Sequence, residues 1–368
     1  MHTPSPTTGV HTASLGAGCD CLSIQPAADL TAGLSLYAPS VHVRRRVPML
    51  LGLAEVPYEV QGEALWIERA NVERLRDLLD VLSSVERAEL VAAPCAHAQA
   101  QPDAWQTKPL EDWILKLQTD WFFPAAGQLQ FHLQPIMELR SGAVYGYKAL
   151  VRAEWEGALI GAGPLLEAAA AHGQSRAFDA QARRGAIRQA YPMLQPGEIL
   201  SLNFAPGVVY NPDVCLQTTF QACREVGADF SQLLFEVTES EAFPDLRLLQ
   251  RILERYRAEG AQVALDDLGA GFTSLNYLEQ LRPDVVKLDR ALIRGLHGGD
   301  PRVPLILALV RYAHDLGIRV VAEGVETESE FRLVRELGAD YAQGFFLARP
   351  ALKPAGLSRE CLNAWQNS

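Results

Sequence analysis

From residue 129 onward the chain alternates short apolar runs with longer stretches of helical spacing. The runs are LQFHLQPIMEL, AVYGYKALV, EILSLNF, LLFEVTE, QVALDDL, DVVKLD, RVVAEGV and YAQGFF. Between them lie LRLLQRILERYRAEG, SLNYLEQL, LILALVRYAHDLG and ESEFRLVRELG, whose apolar residues recur every three or four positions. Eight strands joined by crossover helices predict an α/β fold of the TIM (β/α)8 class over residues 128–368. No internal repeat of fixed period is present.

The rhythm before residue 128 differs. Residues 1–22 are rich in Ser, Thr, Pro and Gly and predict a flexible N-terminus. Residues 23–100 predict a small α+β domain: VPYEVQGEALWI reads as strands around a turn at Gln61-Gly62. ANVERLRDLLDVLSSV reads as one helix with Asn71 as its N-cap. Residues 101–127 predict a linker with an amphipathic helix, LEDWILKLQTDWFF, that joins the two units or packs between protomers.

Polar residues punctuate the later strands at their trailing ends. Asn203 follows ILSL, Glu236 follows LLF, and Asp266 and Asp267 follow VAL. Lys287 follows VV, Glu323 follows VVA, and Gln343 follows YA. In a barrel those ends open into one mouth, where loops build the active site. One such Asp is most simply a turn residue or helix N-cap; polar residues ending successive strands point to a site. Carboxylates and an amide without a histidine cluster suit hard cations such as Mg2+ or Mn2+. The adjacent Asp266 and Asp267 could bridge two ions and support an in-line displacement at phosphorus. Asp284 and Asp289 read as structural, and the glycines of GAGFTS as hinges of a loop.

Composition narrows the partners. Of 368 residues, 48% are hydrophobic and the net charge is −11, so a sizeable core is available. The one basic run, Arg44-Arg45-Arg46, is too short to make the positive face that duplex nucleic acid requires. No basic segment precedes an apolar stretch at the start, and no run is long enough for a bilayer, which leads to the expectation of a cytoplasmic protein without membrane contact.

Taken together, QPIMELRSGAVYGYKALVR, LNFAP, FEVTES, LDDLGAGFTSL, VVKLD, VAEGVE and QGFFLARP resemble the EAL-domain family of cyclic-di-GMP phosphodiesterases, in the family's order. The resemblance spans residues 128–352. It implies a modified barrel whose first strand runs antiparallel, a homodimer, and hydrolysis of cyclic-di-GMP to pGpG. It further implies metal ligation by Asn203, Glu236, Asp266, Asp267 and Glu323, with Lys287 and Glu323 acting on the attacking water. Gln343 completes the site, and Glu239 anchors the loop containing Gly269 and Gly271. Gln134, Leu150 and Arg152 touch the nucleotide, Arg152 at a phosphate.

One position departs from the pattern. Lys148 stands where the family's first glutamate ligand belongs. Period-two alternation puts Lys148, Leu150 and Arg152 on one strand face, so the amine points into the mouth. A unit charge pair at 4 Å is worth about 4 kcal/mol at an effective dielectric of 20, so exchanging a carboxylate for an ammonium against a divalent ion swings roughly 16 kcal/mol as an upper bound. The amine must swing aside, deprotonate, or occupy the cation's place. Glu154 shares the strand parity but lies six residues on, about 20 Å along an extended strand, and cannot replace the missing acid. The literal string Glu63-Ala64-Leu65 falls outside the barrel and lacks the following arginine, Ile67 standing there instead.

Cys19-x-Cys21 and Cys95-x-His97 offer a tetrahedral Zn2+ set, or are unrelated thiols and an imidazole. Cys215 and Cys223 read as buried, and His132 and His172 as structural. The expectation drawn from all this is a protein that binds cyclic-di-GMP with impaired or absent hydrolysis, its N-terminal domain carrying a partner contact. The alternatives are an active phosphodiesterase that tolerates Lys148 and a non-catalytic interaction module.

Overall fold

The computed structural model describes residues 23–24, 32–238, 245–269 and 274–367. Its first unit is an antiparallel sheet in the order β2-β3-β1-β4-β5: β1 (Gly33–Tyr37), β2 (Glu59–Gln61), β3 (Ala64–Glu68), β4 (Val91–Cys95) and β5 (Lys108–Pro109). Helix α1 (Val41–Leu53) buries Val43, Val47 and Leu51 at four-residue spacing against that sheet, despite an internal Pro48. Its arginines face outward, Arg44 pairing with Glu63 at 2.6 Å and Arg46 with Glu86. The literal Glu63-Ala64-Leu65 string therefore opens a strand of this small sheet.

The helix expected to start at Asn71 is three short ones: α2 (Arg69–Val72), α3 (Leu75–Asp80) and α4 (Ser84–Glu89). Asn71 sits inside α2 instead of capping it. The physical reason for the last break is a capping box, in which Ser83 accepts from the Glu86 backbone and Glu86 accepts from the Ser83 backbone. The 110–123 segment is likewise two helices, α5 (Leu110–Gln118) and α6 (Phe122–Ala126). Helix α5 buries Leu110, Trp113, Ile114 and Leu117 in the core of the first unit. Helix α6 packs against α7 (Ala162–Ala171) and the strand Val144–Trp155.

The second sheet closes on itself. Its strands are β6 (Leu129–Glu138), β7 (Val144–Trp155), β8 (Ala158–Ile160), β9 (Ile199–Phe204), β10 (Leu233–Thr238), β11 (Gln262–Leu268), β12 (Val285–Leu288), β13 (Arg319–Ala322) and β14 (Tyr341–Gln343). The order is β6-β14-β13-β12-β11-β10-β9-β7-β8, and β6 also pairs with β7, so eight strands form a barrel. Strand β6 runs antiparallel to both neighbours, while β7 and β9 to β14 are mutually parallel. This is the modified TIM barrel expected from the sequence. Strand β8 is an added hairpin arm, turned by Glu156 and Gly157 at φ 50° and 77°.

Helices α8 (Ser175–Ala190), α9 (Pro212–Cys215), α10 (Gln217–Glu225), α11 (Leu246–Ala258), α12 (Ser274–Leu281), α13 (Arg290–Ile293), α14 (Val303–Asp315), α15 (Glu328–Glu336) and α16 (Arg359–Gln366) surround the sheet. Their apolar faces and the outward strand residues make two cores. Cys215 and Cys223 are buried in one of them. Among the described residues no helix is long and apolar enough to cross a membrane.

The barrel interior is built in layers. Ile136, Ile199, Leu234, Ala264, Val285 and Val321, with Tyr341, fill the lower layer. Side chains on a strand face recur every second residue. The next layer toward the strands' C-terminal ends is therefore Ser201, Glu236, Asp266, Lys287, Glu323 and Gln343. In the antiparallel β6 it is Gln134. Strand β7 enters at Gly146, where an added Cβ would lie 2.1 Å from the Ile199 carbonyl oxygen, and delivers Lys148 two residues later. A hydrophobic floor thus supports a polar layer.

Candidate functional site

The polar layer converges on Lys148. Its Nζ lies 2.8 Å from Glu236 Oε2, 3.1 Å from Asp266 Oδ2 and 3.4 Å from Glu323 Oε1. Of the three courses open to the amine, it takes the third and sits where a cation would. Carboxylate oxygens of Glu236, Asp266 and Glu323 all lie within 4.8 Å of one another, a spacing suited to one shared ion. Burial works to lower the Lys148 pKa, but Asp266, Glu236 and Glu323 hold it well above the ordinary lysine range. The ammonium form is fixed.

Lys287 is the second ammonium of the layer and is fully buried. Its Nζ donates to Glu236 Oε1 at 2.8 Å and also contacts Glu323 Oε1. Burial opposes its charge, and Asp266, Glu236 and Glu323 raise its pKa nonetheless. Burial pushes the Asp266 pKa up, while Lys148 and Lys287 pull it well below the carboxylate range. Ser201 donates to Glu236 Oε1, a contact the sequence reading did not anticipate.

Adjacent strand residues normally face opposite ways. Asp266 and Asp267 escape that rule because the β11–β12 register shifts between Leu265 and Leu268, and Asp267 takes φ 62°. The Asp267 backbone N–H donates to Asp266 Oδ1 at 3.0 Å. Burial, then the charges of Asp266, Glu323 and Asp289, push the Asp267 pKa up to about 6. Asn203, two strands away on β9 and paired with Glu236, is exposed at the rim. Its loop is tethered from behind: Asp179, buried on α8, accepts the Ala205 N–H at 3.0 Å and pairs with buried Arg183. In sequence this pair looks like an ordinary i, i+4 surface pair, so its role was not legible.

The nucleotide candidates divide. Gln343 donates to Gln134 Oε1 at 2.9 Å, linking β14 to β6. Gln134, Leu150 and Gln343 line a cleft that also contains Lys148 and Glu323. Arg152 lies outside that cleft's lining; its guanidinium donates to the Val151 carbonyl at 2.8 Å, and burial lowers its pKa. Asp289 N-caps α13, and Asp284 accepts the Val263 N–H at 2.9 Å, both structural as read. Glu239 and Gly271 lie outside the described residues, as do Cys19 and Cys21. The Cys95 thiol is buried and donates to the carbonyls of His97 and Ala100, while the His97 side chain is exposed. His172 is buried against Thr119, Phe122 and Phe123.

Known proteins carry the same architecture. A family model described as the EAL domain matches residues 116–350. A standalone EAL protein from Vibrio cholerae O395, solved with c-di-GMP bound, is 30% identical with a TM-score of 0.57, over 64% of this chain and 97% of that one. BlrP1 from Klebsiella pneumoniae, solved as a calcium and cyclic-diGMP complex, is 32% identical with a TM-score of 0.58, over 63% and 58%. The cyclic di-GMP phosphodiesterase NbdA of Pseudomonas aeruginosa is 29% identical over 245 residues, 65% of this chain. The chain spans about a third of the length of the curated relatives it matches, 31% in the case of NbdA.

Proposed function

The chain belongs to the EAL-domain family, and from that premise we propose that its barrel mouth takes cyclic-di-GMP and hydrolyses it poorly or not at all. Binding is supported by relatives solved with that nucleotide at comparable identity. Impaired hydrolysis is supported by one observation, the Lys148 ammonium set among Glu236, Asp266 and Glu323 at 2.8, 3.1 and 3.4 Å. Two of its N–H groups donate to Asp266 and Glu323, and Glu236 Oε2 lies at ion-pair distance, 2.8 Å.

Those acids are the type that hold Mg2+ or Mn2+, with Asn203 and Asp267 at the rim, and such ions activate water in phosphoester hydrolysis. With Lys148 and Lys287 already neutralising them, the donor set does not fit a divalent ion at the same point. Each Lys148 contact near 3 Å is worth about 5 kcal/mol at an effective dielectric near 20, before desolvation. An arriving ion forfeits those contacts and meets a like charge. The mouth then acts as a binding face, with the charge-assisted grip on phosphate supplied by Arg152. The Lys148 charge is directed at the three carboxylates below it instead of at phosphate.

In this reading the first unit carries the regulatory or partner contact, and the protein works in the cytoplasm as a homodimer. Light scattering with and without nucleotide tests the dimer. Calorimetric titration with cyclic-di-GMP, with and without chelator, tests the main claim beside turnover to pGpG in Mg2+ or Mn2+. Chelator-insensitive binding without turnover is the expected result. Turnover matching a Lys148→Glu variant favours an active phosphodiesterase; absence of binding favours an interaction module.

A further inference from the structure

Helix α8 presents opposite faces to two different parts of the chain. Arg176, Asp179 and Arg183 recur at three- and four-residue spacing and share one face; Phe178 and Gln181, three apart, share the other. The first face holds the loop after β9. Asp179 Oδ1 accepts the Ala205 N–H at 3.0 Å, and the Arg176 guanidinium lies 5.2 Å from the centre of the Tyr210 ring. Asp179 is itself fixed by Arg183, whose Nε donates to Thr219 on α10 at 3.3 Å. The second face holds α6: the buried rings of Phe178 and Phe122 lie 5.7 Å apart, and Gln181 donates to the Ala126 carbonyl. An apolar pair of similar volume would stabilise the interior as well as the buried Asp179–Arg183 pair does. What the carboxylate adds is a fixed acceptor for one backbone N–H, two residues beyond Asn203. Helix α6 in turn follows α5, whose Trp113 and Ile114 sit in the core of the first unit.

We propose that α8 couples the first unit to the nucleotide mouth, with Asp179 as the positioning residue for the rim segment from Asn203 to Ala205. This rests on the nucleotide-binding reading above. A shift of α5 moves α6, which is joined to it by Thr119, Asp120 and Trp121. Helix α6 bears on Phe178 and Gln181, and the opposite face of α8 carries the displacement to the Ala205 N–H and so to Asn203. Close-packed interiors transmit such displacements because they hold few voids to absorb them. The coupling is reciprocal: nucleotide seated against the rim steadies α6 by the factor through which the seam changes its affinity.

The test is hydrogen exchange of the full chain with and without saturating cyclic-di-GMP, beside calorimetric titration and melting curves. In the natural protein the nucleotide should slow exchange of the α6 amides about fivefold or more. Asp179→Leu combined with Arg183→Met removes both charges at similar volume, so the fold should hold, but the Ala205 N–H loses its acceptor. In that variant saturating nucleotide should leave α6 exchange unchanged. Gln181→Met, altered only on the seam side of α8, should weaken cyclic-di-GMP binding about threefold or more. If the natural protein binds the nucleotide and α6 exchanges at the same rate, the inference fails and the functional reading stands. Protection of α6 that persists in the double variant overturns it too. So does Gln181→Met with the natural affinity, which decides the matter should the double variant not fold. If the natural protein does not bind cyclic-di-GMP, the functional reading fails and takes this inference with it.

Discussion

Lys148→Glu changes the polar layer from three carboxylates facing two ammoniums to four facing one. The lost contacts lie at 2.8, 3.1 and 3.4 Å. At an effective dielectric of 20 they sum to roughly 16 kcal/mol of bare attraction, most of it offset by the desolvation that holding the amine there costs. Breaking a buried pair by removing one partner typically costs about 3–5 kcal/mol. For a domain of 150–250 residues each kcal/mol moves the melting temperature about 2–4 °C, so the metal-free variant should melt about 10 °C lower. The four acids then want a cation. At Mn2+ one hundred times its Kd, linkage returns about 2.7 kcal/mol, a rise of about 5–10 °C. Thermal melting in chelator and in Mn2+ reads both numbers, and the natural protein should shift by less than about 1 °C on adding the ion. A variant indifferent to Mn2+, or a natural protein stabilised equally, would refute the claim that the amine occupies the cation's place.

Other outcomes follow from separate contacts. Arg152→Ala should weaken cyclic-di-GMP binding about tenfold or more, the worth of a charge-assisted hydrogen bond, measured by calorimetry with or without metal. Gly146→Ala should cost about 3 kcal/mol or more in urea denaturation, because the new methyl meets the Ile199 carbonyl of the neighbouring strand. Glu86 has its pKa lowered to about 2, first by the Ser83 backbone and hydroxyl and then by Arg46. A depressed carboxylate stabilises above its unfolded value of 4.5 and loses that contribution as pH falls through the folded value. Glu86→Gln should therefore flatten the acid side of the stability profile between about pH 5 and pH 2, which urea melts at graded pH will detect.

The barrel was legible because each strand carries a short apolar run and a polar residue at one end. Glu236, Lys287 and Glu323 were legible from their place at the trailing ends of their strands. Asp267 did not follow from parity, since adjacent residues diverge in a regular strand; a register break and a left-handed backbone bring it beside Asp266. The small hairpin arm had a signal in Trp155-Glu156-Gly157-Ala158, a two-residue turn of the right type. Helix α1 was missed because Pro48 and three arginines masked its four-residue apolar spacing. Ser83-x-x-Glu86 is a capping-box sequence that marks where α4 begins. What pattern could not give was tertiary: that Asp179 and Arg183 are buried, and that Asp179 holds the Ala205 N–H beside Asn203.

The seam between the two units is not where composition changes. The α5 helix fills the interior of the first sheet, and three residues after it α6 tucks Phe122, Ala125 and Ala126 beneath β7, where Leu165, Ala168 and Phe178 also pack. A fragment begun at residue 128 would strip that lining from the strand bearing Lys148. One ended at residue 100 would leave the first sheet open where Trp113 and Ile114 had plugged it. The apolar faces change allegiance in the short turn between Thr119 and Trp121, and a cut there would still part His172 from Thr119, which it meets at 3.1 Å.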